Sequence, residues 1–171
     1  MRISNSLAGC AVAFLFAGCA AYHLGPVNPN VRAGRESIEI IPFANQTLQP
    51  RLGEAVTQAL RERIQTDGTY RLATSQPGDV VVTGVIIHYN RQPVSFLSSD
   101  VTTVQDYRVT TTAHVIVRDR VTGNVLLDRE VTGATLAQTG TELAETERQA
   151  LPLLADDLAR NITELLAEGS W

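Results

Sequence analysis

The apolar positions of this chain change period as it proceeds, and each change marks an element. Ser37-Ile38-Glu39-Ile40-Ile41-Pro42-Phe43 alternates as a strand does, with Pro42 suited to its end or to an edge. Ala44 to Gln49 is rich in turn formers, and Pro50 then suits the first position of a helix. Leu52, Val56, Ala59, Leu60 and Ile64 recur at helical spacing, while Arg51, Glu54, Gln58, Arg61, Glu62 and Gln65 fall mostly elsewhere. Asp67-Gly68 ends the helix, glycine being the residue best able to take a left-handed cap.

Tyr70 to Ala73 predicts a short strand, and Gln76-Pro77-Gly78-Asp79 a turn. Val80 to Tyr89 is nearly all apolar, as in a central strand or one covered on both faces, and Gly84 within it suggests a close backbone approach. Arg91 to Asp106 reads as a long linker in which Pro93, Val94, Phe96 and Leu97 sit among Ser and Thr. Such a loop fits either a partner surface or a disordered segment. From Tyr107 to Arg118 the period is two: Tyr107, Val109, Thr111, Ala113, Val115 and Val117 share one face, and Arg108, Thr110, Thr112, His114, Ile116 and Arg118 the other. Thr122-Gly123-Asn124 is a hairpin turn leading to Val125-Leu126-Leu127 and on to Val131. Gly133 to Thr141 reads as a loop. A long helix follows from about Glu142 to Ala167, with a stripe of Glu147, Leu151, Leu154, Leu158, Ile162 and Leu165. Pro152 should kink this helix or start a second segment, and Gly169 marks its end.

Strand, helix, several antiparallel strands and helix make an α+β chain. Two amphipathic helices must cover one face of the sheet, so the expected architecture is a two-layer sandwich, with two helices packed on one face of a mostly antiparallel sheet of about four strands. The domain should occupy residues 37–168. No repeat or low-complexity segment interrupts it.

The first residues are of another kind. Arg2 is followed by an uncharged apolar run from Leu7 to Gly18, too short to span a bilayer and suited to the core of an export signal over residues 1–18. Ala17-Gly18-Cys19 resembles the bacterial lipobox, which implies that Cys19 becomes the lipidated first residue. Leu7-Ala8-Gly9-Cys10 matches the same pattern but leaves almost no apolar run before the cleavage site, so Cys19 is favoured over Cys10. Ala20 in place of Asp implies, by the same resemblance, the outer membrane. Residues 19–36 then form a polar, Gly/Pro/Asn-bearing tether.

Composition narrows the chemistry. All the basic residues are arginine, and loss of residues 1–18 removes Arg2 and no acid, moving the formal charge from −4 to −5. Such mild acidity gives no reason to expect nucleic acid. There is no Gly-rich phosphate loop, His-Glu-x-x-His, nucleophile elbow or paired cysteine ligand set, so no enzyme, metal or cofactor is expected. His88 and His114 lie on separate strands without a third ligand. Arg91, Arg108, Arg118, Arg120 and Arg129 fall near strand ends and the hairpin. Arginine forks can hold phosphates bidentately, and edge charges can equally serve only to block aggregation. Of these, Arg91, Arg108, Arg118 and Arg120 are the candidates for binding a phosphate-bearing ligand or a partner. Asp156 and Arg160 form an i,i+4 pair on the last helix and carry no assigned role.

The succession of short motifs resembles the LptE family of lipopolysaccharide-assembly lipoproteins. It begins with Gly18-Cys19-Ala20-Ala21-Tyr22-His23-Leu24 and continues with Ile38-Glu39-Ile40-Ile41-Pro42-Phe43-Ala44-Asn45-Gln46-Thr47. Pro50-Arg51-Leu52 through Ala59-Leu60, Asp67-Gly68-Thr69-Tyr70-Arg71-Leu72 and Asp79-Val80-Val81-Val82-Thr83-Gly84 follow in order. The resemblance implies a non-enzymatic outer-membrane lipoprotein on the periplasmic side. It would plug and help assemble an LptD-like β-barrel translocon and contact lipopolysaccharide in transit. The alternative is a lipid-anchored periplasmic activator or assembly factor of another envelope machine, such as a cell-wall synthase or secretion channel.

Overall fold

The computed structural model describes residues 36–97, 100–138 and 143–169. The expected signal, Cys10, Cys19 and all of the expected tether but Glu36 lie outside them. Element order is β1 (Ser37–Ile40), β2 (Ala44–Asn45), α1 (Leu52–Asp67), β3 (Arg71–Leu72), β4 (Val80–Leu97), β5 (Asp100–Asp119), β6 (Val125–Gln138) and α2 (Leu143–Glu168). The six strands form one mixed sheet in the order β3-β1-β4-β5-β6, with β2 pairing β4 beside β1. The expected α+β sandwich and its mostly antiparallel pairing hold, but the strands number six rather than about four and the sheet is mixed. The β4-β5-β6 meander is antiparallel, but β1 pairs in parallel with both β3 and β4, and β2 is parallel to β4. Strands β2 and β3, of two residues each, are too short to show a period.

Alternation decides which face of the sheet is covered. Val80, Val82 and Ile86 of β4 and Val109, Ala113, Val115 and Val117 of β5 turn toward the helices and are buried. They meet Leu52, Val56, Leu60 and Ile64 of α1 and Leu154, Leu158 and Ile162 of α2 in one core. In α2 the buried stripe also takes in Leu166 and the small residues Ala150, Ala155 and Ala159, which let the helix lie close to the sheet. At Gly133 of β6 an added Cβ would come within 2.7 Å of the Leu158 backbone, so only glycine fits there. At Gly84 the close approach is made by a side chain and not by the backbone that was expected: the Phe43 ring lies over it, where a Cβ would come within 2.1 Å.

Several boundaries differ from the sequence reading for local reasons. Strand β1 stops at Ile40, and the chain steps across to β2. Pro50 lies before the helix, which begins at Leu52 after Arg51 takes a left-handed φ of 63°. Gly68 caps its end at φ 75°, donating its N–H to the Ile64 carbonyl. The step between β1 and α1 is fixed by Thr57, whose hydroxyl accepts the Phe43 N–H at 2.9 Å and donates to the Gly53 carbonyl at 2.7 Å. Pro152 lies inside one continuous helix and starts no second segment. The loop expected over Gly133–Thr141 is strand as far as Gln138, and residues 139–142 lie outside those described.

The largest correction concerns Arg91–Asp106. This segment is no linker: β4 runs through it to Leu97, and β5 returns from Asp100 as a paired hairpin arm. Register shifts at Pro93, Ser95 and Phe96 break the alternation there, so the sequence shows no clean period. Val94 (47% exposed) and Phe96 (48%) are half-exposed on this arm.

Polar contacts tie the layers. Arg63 of α1 grips Asp156 of α2 with two bonds of 2.8 and 2.6 Å and holds that carboxyl below the usual carboxylate range. Asp156 therefore does not pair with Arg160 as expected. Arg160 pairs with Asp157 and Glu164 instead. Asp157 also accepts the Ala134 N–H at 2.9 Å, and the Asn161 amide donates to the Thr132 carbonyl at 2.8 Å. Both backbone groups belong to β6, the last strand of the sheet, so α2 covers part of its outer edge with side chains.

Two predictions follow from the core. Leu60→Ala and Leu158→Ala each remove a fully buried side chain, and each should lower unfolding free energy by about 2–5 kcal/mol in urea titrations. Tyr70, buried, donates its hydroxyl to the Leu166 carbonyl at 3.1 Å, and burial pushes its phenol up to about 12. Because the folded value lies above the ordinary one near 10, this contribution is complete below about pH 10 and is lost as pH rises toward 12. Melting scans should show that decline in the parent and a smaller one in Tyr70→Phe, which also loses about 1 kcal/mol at neutral pH with its hydrogen bond.

Candidate functional site

The face of the sheet opposite the helices has no covering layer among the described residues. Its floor is set by the same alternation that builds the core. Arg108, Thr110, Thr112, His114, Ile116 and Arg118 of β5 stand on it, as the period of two predicts. Cross-strand partners on β6 are Leu136, Ala134, Thr132, Glu130 and Asp128, opposite Arg108 through Ile116 in turn. On β4 the partners are Gln92, Asn90, His88, Val85 and Thr83.

Two zones result. At one end Val81, Val85 and Ile116 form a half-buried apolar area. The middle is polar and internally bonded: the Thr112 and Thr132 hydroxyls meet at 3.0 Å, and His114 Nε2 lies 2.6 Å from an Asp128 oxygen. Beyond this, a hollow of about 250 Å³ is lined by Arg108, Ala134, Thr135 and Leu136. Half-buried and exposed groups of this kind suit contact with a partner more than catalysis in a dry cleft. Among the described residues no three His, Cys, Asp or Glu side chains come together as metal ligands.

The arginines do not converge. Arg108 and Arg118 share the open face but stand ten residues apart on one strand, about 33 Å at the usual rise. Arg91 pairs with Val109 and lies on the helix side of the sheet, as does Arg129 opposite Val115. Arg120, past the end of β5, turns back onto the body. It donates to the Gly78 carbonyl at 2.7 Å and pairs with Glu39, while its own N–H bonds the Asp79 carbonyl at 2.8 Å. Next to it Asp79 accepts the Ser37 hydroxyl at 2.7 Å and N–H at 2.9 Å, bonds that lower its carboxyl below the ordinary range. Arg120 therefore serves to hold the first strand and the hairpin turn together. Of the four candidates, only Arg108 and Arg118 present their charge on the open face.

A second concavity was not visible in the sequence. It is a groove of about 590 Å³ between Gln46–Gln49 and Ile87–Arg91. The Asn45 side chain shapes one wall, accepting from the Thr47 N–H (3.0 Å) and hydroxyl (2.8 Å) and donating to the Gln49 carbonyl (2.7 Å). The only sequence signal was the Asn/Thr content of that turn.

Two helices thus cover one side of the sheet, and its other, largely polar side has no cover among the described residues. The family model described as lipopolysaccharide-assembly, LptE, matches residues 35–166. The chain belongs to the LptE family. No curated protein matches it. Solved structures share the fold at low identity. A minor lipoprotein from Acinetobacter baumannii is 17% identical, with TM-score 0.51, covering 78% of this chain and 93% of that one. A protein of Chlamydia trachomatis is 9% identical, with TM-score 0.56 over 78% and 96%. Lipoprotein B from Nitrosomonas europaea is 12% identical, with TM-score 0.50 over 78% and 83%.

Proposed function

We propose that this chain is an outer-membrane lipoprotein that plugs and helps assemble the lipopolysaccharide-translocating, LptD-like β-barrel and touches lipopolysaccharide on its way to the surface. The observation that carries the reading is the uncovered face of a sheet in a chain of the lipopolysaccharide-assembly family. A plug needs a rigid body with one surface held by its own helices and another left for the barrel. The polar middle of the open face suits a hydrated lumen, and Arg108 and Arg118 at its two ends suit anionic phosphates. Nothing in this role requires a reaction or a cofactor.

The double variant Arg108→Glu/Arg118→Glu tests the face. Both side chains are exposed, so folding should be within about 0.5 kcal/mol of the parent. Binding of purified lipopolysaccharide by the soluble domain should weaken about tenfold or more, because carboxylates would replace the phosphate donors. Equal binding and equal barrel recovery from outer membranes would leave the face merely solvated. Recovery of a cell-wall synthase or a secretion channel in place of a barrel would point to another envelope machine.

The anchor is tested separately. Cys19→Ala should abolish incorporation of radioactive fatty acid, and Cys10→Ala should leave it unchanged. Equal loss in both would remove the assignment of Cys19. Durable attachment needs more than one acyl chain, since a single chain binds only marginally.

A further inference from the structure

The groove between Gln46–Gln49 and Ile87–Arg91 is not used by the plug role, and a bulge builds it. As far as Ile86 the even-numbered residues of β4 face the helices, Val80, Val82 and Ile86 being buried. The register shift between Ile86 and His88 reverses this, so His88 and Asn90 stand on the open face opposite Thr112 and Thr110. The facing wall is the turn after β2. Its Gln46 N–H bonds the Ile86 carbonyl at 3.0 Å, and the Asn45 amide ties the turn to the Gln49 carbonyl at 2.7 Å. Both walls are therefore fixed before any ligand arrives, which lowers the ordering cost of binding. About 590 Å³ lies between them, inside the roughly 300–1,000 Å³ range of small-ligand sites.

Its chemistry is polar and neutral. Gln46 and Gln49 line one wall and Asn90 the other, and the side-chain amides of all three are unspent among the described residues. No acidic side chain lines the groove, so a cation finds no ligand there. Arg91 lines it but already has a partner, so it is not held ready for a phosphate. An apolar ligand would strip water from three amides and return no bond. These exclusions leave a neutral ligand dense in hydroxyl groups. A carboxamide carries a donor and an acceptor side by side and can bond two adjacent sugar hydroxyls together. Leu48, fully exposed (102%), and half-buried Ile87 offer apolar surface to the C–H face of a sugar ring. We infer that this groove binds a neutral stretch of saccharide chain. The inference does not rest on the barrel reading. Through His88 and Asn90 the groove opens onto Thr110 and Thr112 of the open face, so a longer saccharide has a hydroxyl-bearing surface to follow.

The test uses the full chain in detergent micelles and two probes. One is the neutral outer-core oligosaccharide released from lipopolysaccharide, and the other an N-acetylglucosamine oligomer standing for cell-wall glycan. One or both should bind saturably and shift the side-chain amide resonances of Gln46, Gln49 and Asn90. Which probe binds tells glycolipid sugar from wall glycan, and either supports the site. Gln49→Ala and Asn90→Ala should each weaken binding about three- to tenfold, the loss of about one hydrogen bond, while keeping the parent's circular dichroism. Arg108→Glu/Arg118→Glu should bind the probe as the parent does, so failure of the open-face reading and failure of this one are told apart. Absence of saturable binding by either probe overturns the inference, as does undiminished binding by both folded alanine variants. Binding of an uncharged Gly/Ser peptide in place of both saccharides overturns it too. Should the variants not fold, the parent decides: resonance shifts confined to residues outside the groove overturn the site.

Discussion

One strand, β4, has to satisfy neighbours of two kinds, and the rest of the molecule is arranged around that demand. Its first half accepts parallel partners from β1 and β2 on one side and antiparallel β5 on the other. Parallel strands cannot be joined by a tight turn, so the chain needs a crossover between β1 and β4, and α1 supplies it. That crossover delivers one apolar stripe to the sheet, and α2 delivers the second. Both land on the same face because β5 and β6 follow β4 as simple hairpins, with no further crossover to carry a helix to the other side. The open face is thus a product of topology, and its polarity is the sequence's response to it.

Small residues and edge contacts set how closely the layers approach, within a core made mostly of large aliphatic side chains. Gly133 lets α2 rest on the β6 backbone, and Ala155 and Ala159 keep the helix close. At that distance Asp157 and Asn161 reach the outward backbone groups of Ala134 and Thr132. An edge strand is a template for aggregation, and a helix that supplies its missing bonds removes part of that hazard without another strand. The Arg63–Asp156 pair, half-exposed, adds register between the helices more than energy.

Much of this was legible in the sequence, and the failures have physical causes. The stripe of α1 and the two faces of β5 followed from period alone, whereas in α2 the period found Leu154, Leu158 and Ile162 but put the half-buried Leu151 and Leu165 in place of Ala150, Ala155, Ala159 and Leu166. The parallel half was hidden because β2 and β3 make their bonds with two residues apiece, and sequence separates them widely from their partners. The arm over Arg91–Asp106 was hidden because Pro93 and the serines resemble loop formers while its bulges erase alternation. The apolar run of β4 concealed a bulge at Ile87: Val85, Ile86 and Ile87 are all apolar, so the change of face between Ile86 and His88 breaks no visible alternation. Arg108 and Arg118 were correctly placed on the open face, but arginines close in number proved distant or opposite in space, as Arg91, Arg120 and Arg129 did.

The bonds that α2 makes to β6 also impose an order of events on the chain. The β4-β5-β6 meander is built from neighbouring segments and can close early, as contacts of short sequence separation do. Ala134 and Thr132 meet their partners only 23 and 29 residues later, in the last helix. A chain emerging from its N-terminal end therefore completes the sheet before it can seal it. For that interval the meander is formed and its edge is still open to other strands, and the final helix determines how long the interval lasts.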